Sequence, residues 1–517
     1  MTSKVYSAAI IGLDAIPIEV EVDTSRGLPS FNIVGLPDKT VQESKDRINS
    51  AIKNSGLTNP KKENLKVVVN LAPADIKKQG PTYDLPIAVC YLLNTKQAEF
   101  DHKEKIFAGE LALDGSFRGI GGVLPIALMA RERGFKEFIL PKQNAKEAAL
   151  INEIKIVGLN NLTELVAYLN GKIMIEPEKP ADFSKLLTDG SIHDFDISEI
   201  KGQETAKRAL TISAAGFHNI LLAGPPGAGK TMLAKAMPSI MPDLSLEEAL
   251  EITKIHSVAN VLKHSEGENS FLINKRQFRD PHHTASAAAM VGGGTNPKPG
   301  EISLAHRGVL FLDEFPEFSR DVLESLRQPL EEGKISVSRA SHSITYPAKF
   351  LLIASMNPCP CGNYQNLQKE CLCSPGMIMR YQKKISGPIL DRFDIKLSVP
   401  QENPKKLKDE PDYRESEKIR EKVEAARKRQ IERFEGLGIF TNSEMNNKQI
   451  RRFCKIDGES DKFLDNYTVM KKLSHRAYFK ILKLARTIAD LEGQENIKLE
   501  NLQESANYKN DGVLIAL

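Results

Sequence analysis

No stretch of this 517-residue chain approaches the run of about 18 apolar residues that a membrane-spanning helix needs, so the sequence predicts no membrane span. Its first residues, Met1-Thr-Ser-Lys-Val-Tyr, lack the charged start and apolar stretch of a secretory signal, and the cytoplasm is the expected compartment. Cysteine is scarce. Six residues in a chain this long do not make a disulfide framework. No internal repeat or low-complexity tract stands out. The net charge of +4 is also small, and it neither demands nor excludes a nucleic-acid partner, because a local basic surface decides that. What remains is ordinary globular composition, 41% hydrophobic and 27% charged, in a length that suits about three domains.

The pattern predicts an α/β protein with a helical C-terminal part. Residues 1–170 read as a mixed α/β block. Ile18-Glu-Val-Glu-Val22 alternates as a half-buried strand does, and Leu65–Leu71 reads as another strand. Val41–Ser55 and Leu124–Gly134 carry helical spacing and end at glycine. Residues 171–195, rich in proline and charge, read as a linker. In residues 196–400, the apolar runs Ile220–Ala223, Val309–Leu312 and Phe350–Ala354 predict buried parallel strands, with a ligand at their C-terminal ends. Residues 401–517 are almost entirely helical in pattern, including Glu415–Arg433 and Ser474–Leu491.

Gly224-Pro225-Pro226-Gly227-Ala228-Gly229-Lys230-Thr231 meets every fixed position of the phosphate-loop pattern, between a strand run and a helical one. Glycines let backbone N–H groups curl round an anion, and the helix N-terminus adds partial positive charge. Lys230 is expected to reach the β- and γ-phosphates of ATP, and Thr231 to offer its hydroxyl to Mg²⁺. Val309-Leu-Phe-Leu-Asp-Glu314 ends a strand in two carboxylates. Paired with the phosphate loop, Asp313 is expected to hold Mg²⁺ and Glu314 to polarise the attacking water. Asn357, after the next strand, suits a side chain that orients that water; taken alone it also suits a turn before Pro358.

With these elements in place the chain resembles an AAA+ ATPase of the magnesium-chelatase-like group, of the YifB/ComM type. The likeness runs through Val34-Gly-Leu-Pro-Asp38, Gly80-Pro-Thr-Tyr-Asp-Leu-Pro86, Pro281-His-His-Thr-Ala-Ser286, Val291-Gly-Gly-Gly294, Pro299-Gly-Glu-Ile-Ser-Leu-Ala-His306, Asn357-Pro-Cys-Pro-Cys-Gly362, Ile385–Arg392 and Ala485–Leu491. The resemblance implies a hexameric ring with ATP between subunits. It implies that Arg392 is an arginine finger toward the neighbouring subunit, with Arg380 a second candidate. It implies that Arg476 is a lid arginine contacting nucleotide on its own chain, and that Gly202 and Gln203 lie near adenine. Residues His282–Gly300 read either as a hairpin facing the ring's channel, with Lys298 meeting DNA phosphate, or as a structural Gly/Pro turn, and Lys471, Lys472, Lys480 and Lys483 read either as channel-lining residues or as a solvated helix face. His282 and His283, read as neighbours on a strand, point to opposite faces and do not share an ion. The first block resembles the Lon protease catalytic domain. Thr82 stands where Lon has its serine, and Leu124, Pro125 and Ile126 leave no lysine to activate it, so proteolysis is not expected.

Cys359, Cys361, Cys371 and Cys373 form C-x-C…C-x-C. Tetrahedral zinc, as a structural staple, and four unliganded, oxidation-prone thiols are the two readings, and zinc is the expectation. Cys90 and Cys454 read as core residues. The resemblance points to an ATP-driven DNA motor or helicase, promoting branch migration in homologous recombination or natural transformation. A metal-inserting chelatase subunit and a protein-remodelling or regulatory ATPase stand as alternatives. Against the chelatase reading stands the N-terminal Lon-like block, which chelatase ATPase subunits are not expected to carry.

Overall fold

The computed structural model describes residues 2–183, 186, 195–262, 271–294, 297–338, 343–364, 369–402 and 412–509. Ten residues of the predicted linker, 184–185 and 187–194, lie outside the described residues, as do 295–296 within the predicted hairpin. The chain divides into two compact units, Met1–Asp189 with Leu246–Asn274, and Gly190–Ser245 with Lys275–Leu517.

The first unit is built on a seven-stranded mixed sheet, in the order Ser30–Val34, Leu65–Ala72, Asp14–Arg26, Ser3–Ile11, Lys105–Phe107, Glu137–Pro141, Lys155–Leu159. Ser3–Ile11 and Asp14–Arg26 form a hairpin closed at Gly12, whose φ of 64° lies in the left-handed region that glycine tolerates. The alternation read in Ile18–Val22 is real burial: Ile18, Val20 and Val22 face the core, at the alternate positions. The Asp84–Asn94 helix is apolar nearly all round and runs through that core. Its first residue, Asp84, is fully buried and stabilised by a two-pronged bond from Arg47, Nε at 2.7 Å and Nη2 at 2.9 Å. Leu246–Asn274 lies in sequence between the phosphate loop and Asp313, yet it groups with this unit. There the backbone N–H of Gly122 donates to Ser257 O at 3.0 Å.

The second unit holds a five-stranded parallel sheet, in the order Phe278–Arg279, Val309–Leu312, Leu351–Met356, Ile220–Ala223, Ile395–Ser398. The three central strands are buried on both faces, which is why they read as unbroken apolar runs. Alternate residues serve two cores. Ile220, Leu222, Phe311 and Ile353 pack with Leu210 and Ile212 of the Glu204–Gly216 helix, with Val423, and with Leu484 and Ile488. Leu221, Leu310, Leu312 and Leu352 pack with Phe315, Val322 and Phe393. The His475–Leu491 helix, capped by Ser474 accepting from Ala477 N, divides two cores. Leu484 and Ile488 meet the sheet's helices, while Ile481, Ala485 and Ala489 meet a helical cluster with Leu464 and Leu502. Among the described residues no helix is long and apolar enough to cross a membrane.

Candidate nucleotide site

Strand register builds the site. Leu221 pairs with Ala354 and Ala223 with Met356, while Leu312 also pairs with Ala354. Ile220–Ala223 and Leu351–Met356 end level and Val309–Leu312 ends two residues before them, so the next residues, Gly224, Asp313 and Asn357, emerge at the same C-terminal end of the sheet. The loop after Ile220–Ala223 turns through Gly227 and Gly229, at φ of 76° and 83°, conformations that cost glycine little. Gly224 is fixed for another reason, since a Cβ there would stand 2.2 Å from Val399 O. The Lys230–Lys235 helix follows at once.

The cleft bounded by Pro226–Met232, Asp313, Glu314 and Ser355–Asn357 has a volume of about 380 Å³. Lys230 lies at its floor and donates to Gly224 O at 2.7 Å, Pro225 O at 3.0 Å and Asn357 Oδ1 at 3.2 Å. Burial pushes its ammonium pKa down, and Asp313 and Glu314 oppose that. A buried cation so placed is stabilised by an anion entering the cleft. Thr231 Oγ1 donates to Asp313 Oδ2 at 3.0 Å. The other Asp313 oxygen accepts from Ser355 Oγ and from Glu314 N, the latter at 2.9 Å. A hydroxyl and a carboxylate held together are hard oxygen donors, and they fit Mg²⁺. Glu314 is exposed and sits at φ 51°, a strained position for a non-glycine residue, with its side chain over the cleft mouth. Gln203 reaches the same loop, its Nε2 3.5 Å from Ala228 O and 2.7 Å from Pro400 O.

Reading the residues alone missed three neighbours of this site. Ser355 binds Asp313, and only the strand register brings it there. His283 Nδ1 lies 3.4 Å from Glu314 Oε2. His282 and His283 are in a loop rather than a strand, so their rings come together, with centroids 4.2 Å apart, instead of pointing to opposite faces. Asp280, whose carboxyl burial and the Asp313 charge push up, stands nearby.

Arg392 and Arg476 lie together, and the described contacts of neither reach the phosphate loop. Arg392 follows Gly387–Leu390 and precedes Ile395–Ser398, next to Asn219, which enters the Ile220–Ala223 strand from its far end. Arg476, on the lid helix, sits 3.2 Å from Glu331, and Glu331 also pairs with Arg392. Arg476 and Arg392 thus share the Glu331 carboxylate. Arg380 is exposed in the last turn of Pro375–Gln382. Of the basic residues read as DNA contacts, Lys298, Lys471 and Lys472 are exposed. Lys480 and Lys483 turn inward: Lys480 lies 2.7 Å from buried Asp394, and Lys483 donates to Ser443 O at 2.8 Å. A buried carboxylate needs that cation more than the surface does.

The segment holding Lys298 is a short hairpin, Gly292–Gly293 against Lys298–Pro299. Beyond Asn357, the four sulfurs of Cys359, Cys361, Cys371 and Cys373 lie within 4.8 Å of one another and could hold a metal ion. The backbone N–H of Asn363 draws the Cys361 thiol down to about 6. Cys90 and Cys454 are buried, and burial pushes both thiols up to about 12.

A family model described as magnesium chelatase, subunit ChlI, matches residues 196–407, its C-terminal counterpart matches 413–509, and a third, described as subunit ChlI of Mg-chelatase, matches 20–144. A protein named YifB from Escherichia coli (strain K12) is 44% identical over 510 residues, covering 98% of this chain and 97% of the relative. Competence protein ComM of Haemophilus influenzae is 44% identical over 514 residues, with the same coverage of both. The chain belongs to the YifB/ComM family of magnesium-chelatase-like, AAA+-type proteins. The magnesium-chelatase 38 kDa subunit of Rhodobacter capsulatus is 26% identical over only 176 residues, 32% of this chain and 50% of that relative. Because a chelatase-named model covers residues 20–144, the N-terminal block does not by itself set this family member apart from chelatases. The extent of the two kinds of likeness does.

Proposed function

We propose that this chain is an ATPase that assembles as a homo-hexamer and moves along DNA, promoting branch migration in homologous recombination or natural transformation. The observation that carries the ATPase reading is the meeting of Lys230, Asn357, Thr231 and Asp313 at one sheet edge. Lys230 neutralises the terminal phosphates. Glu314, exposed at the cleft mouth beside His283, takes a proton from the attacking water, which Asn357 orients. Thr231 and Asp313 would hold Mg²⁺, which supplies charge neutralisation on the β- and γ-phosphates when bound. Water adds to the γ-phosphorus, the bond to the ADP oxygen breaks, and ADP and phosphate leave. Arg392 and Arg476, whose described contacts do not reach their own phosphate loop, serve the nucleotide of the adjoining subunit.

Full-length likeness to a protein named for competence supports DNA as the polymer, over the partial likeness to chelatase subunits. The Gly292–Pro299 hairpin offers Lys298 to phosphates, and such contacts are sequence-blind and salt-sensitive. The N-terminal block, Lon-protease-like and non-proteolytic, serves assembly or substrate contact, with Leu124 buried where a lysine would be needed. Zinc is the structural ion at the cysteine cluster. The test is ATP turnover with and without single-stranded and branched DNA over a salt series. Stimulation lost at high salt supports the DNA motor; turnover indifferent to every DNA rejects it in favour of a protein or metal-chelate substrate.

A further inference from the structure

A zinc ion bound through four thiolates has bonds of about 2.3 Å, so its sulfurs stand about 3.8 Å apart at the corners of a tetrahedron. Here Cys359 Sγ lies 3.4 Å from Cys361 Sγ and 3.7 Å from Cys371 Sγ, and Cys361 and Cys371 are 3.7 Å apart. Three sulfurs at near-equal mutual distances form a triangle, as one face of a tetrahedron would, rather than a disulfide pair, whose sulfurs bond at about 2.05 Å. Thiolates gathered this closely surround one ion and leave no room for a cluster of several irons. The backbone N–H of Tyr364 donates to Cys359 Sγ at 3.3 Å, the kind of outer bond that orients a metal ligand.

The cysteine turn is also built into the nucleotide cleft. Cys359 stands two residues after Asn357, which accepts from Lys230. Gly362, at φ 78°, packs so closely on the phosphate loop that a Cβ there would lie 2.6 Å from Pro226 Cδ. Gln382 Nε2 donates to Pro358 O at 3.0 Å, tying the turn to the end of the Pro375–Gln382 helix. That helix is capped by Ser374, the residue after Cys373.

We infer that a single zinc ion on Cys359, Cys361, Cys371 and Cys373 is a clamp for the nucleotide cleft, fixing Asn357 and Pro226 at the distances that grip the terminal phosphates. The clamp rests on the ATPase reading; the zinc site does not. Full-length protein purified without added metal should carry about one zinc per chain by plasma mass spectrometry. Exchange with cobalt(II) should give the thiolate charge-transfer and visible bands of a tetrahedral four-sulfur site, and Cys371→Ser should lose both. Affinity for a fluorescent ATP analogue should fall about tenfold or more when zinc is stripped from the wild-type protein by a mercurial, and return when thiol and zinc are restored. The strip-and-restore measurement needs no variant, so it stands even where Cys371→Ser does not fold. Iron in place of zinc, or no metal, overturns the zinc site. Zinc present with analogue affinity unchanged by stripping overturns the clamp alone. A zinc-loaded protein that binds no ATP analogue overturns the clamp and the ATPase reading together, while the zinc site stands.

Discussion

Glu331 carries two arginines on one carboxylate: Arg392 pairs with its Oε1, and Arg476 Nη2 lies 3.2 Å from the same oxygen. Two cations on one anion leave positive charge uncompensated. Burial lowers the Arg392 pKa, and Arg476 lowers it further. Its Nε is buried without a partner among the described residues. Such a pair suits a second anion, a phosphate brought by an adjoining subunit. Arg392→Ala and Arg476→Ala should each bind the ATP analogue normally yet turn over slower, by roughly 10³ for Arg392. Mixing Arg392→Ala with Lys230→Ala should restore part of the turnover, since one subunit then supplies the arginine and the other the phosphate loop. No recovery on mixing, at concentrations where both assemble, would place the arginines outside any shared site.

Glu314 is the exposed partner of the carboxylate pair, and His283 lies 3.4 Å from it. Glu314→Gln keeps shape and removes the base, so ATP should stay bound while turnover falls by roughly 10² or more. His283→Ala should leave nucleotide affinity unchanged and alter the turnover rate. Normal single-turnover kinetics in Glu314→Gln would remove Glu314 as base.

Thr231 and Asp313 meet at 3.0 Å, and Ser355 holds the other Asp313 oxygen. Thr231→Ala deletes one hard donor, and Ser355→Ala loosens the carboxylate. Each should raise the Mg²⁺ concentration for half-maximal turnover, by about tenfold for a weakened outer contact at Ser355. A magnesium titration of turnover checks both, and superimposable curves for wild type and variants would reject the assignment.

The central strands were legible because burial on both faces leaves an unbroken apolar run, so Ile220–Ala223 and Val309–Leu312 are read from sequence to the residue. Both edge strands escaped. Phe278–Arg279 is two residues long, and Ile395–Ser398 mixes Lys396 and Ser398 with its apolar positions. The placing of Asn357 at the phosphate-loop cleft was legible because it follows the strand next to Ile220–Ala223, whereas its bond to Lys230 was not read from sequence. Glu331 was not, for its role depends on a helix packing that brings Arg476 to Arg392 across a long stretch of chain. The motif Ala485–Leu491 is explained by structure rather than chemistry: Arg486 is buried and donates to Gln494 O and Glu495 O, both at 2.6 Å, while Asn442 Nδ2 bonds Asp490 at 2.8 Å.

Glu147 gives the first unit a pH dependence. It is buried, accepts from Leu124 N at 3.1 Å and bonds Ser257 Oγ, so it joins the Val123–Glu132 helix to the Leu246–Ala259 helix. Burial raises its pKa from 4.5 to about 7 against the pull of those bonds. Between the two values the folded chain binds more protons than the unfolded one, so stability falls as pH rises through that window. Above it the buried carboxylate carries the full cost, on the order of 3 kcal/mol. Glu147→Gln keeps an acceptor for Leu124 N without the charge, and it should flatten the dependence and stabilise the unit at about pH 8 relative to wild type. The chain has no tryptophan, so amide hydrogen exchange on the two joined helices is the suitable measurement. Protection that is the same at about pH 5 and pH 8, after correction for intrinsic exchange, would mean that Glu147 stays ionised throughout and that its bonds outweigh its burial.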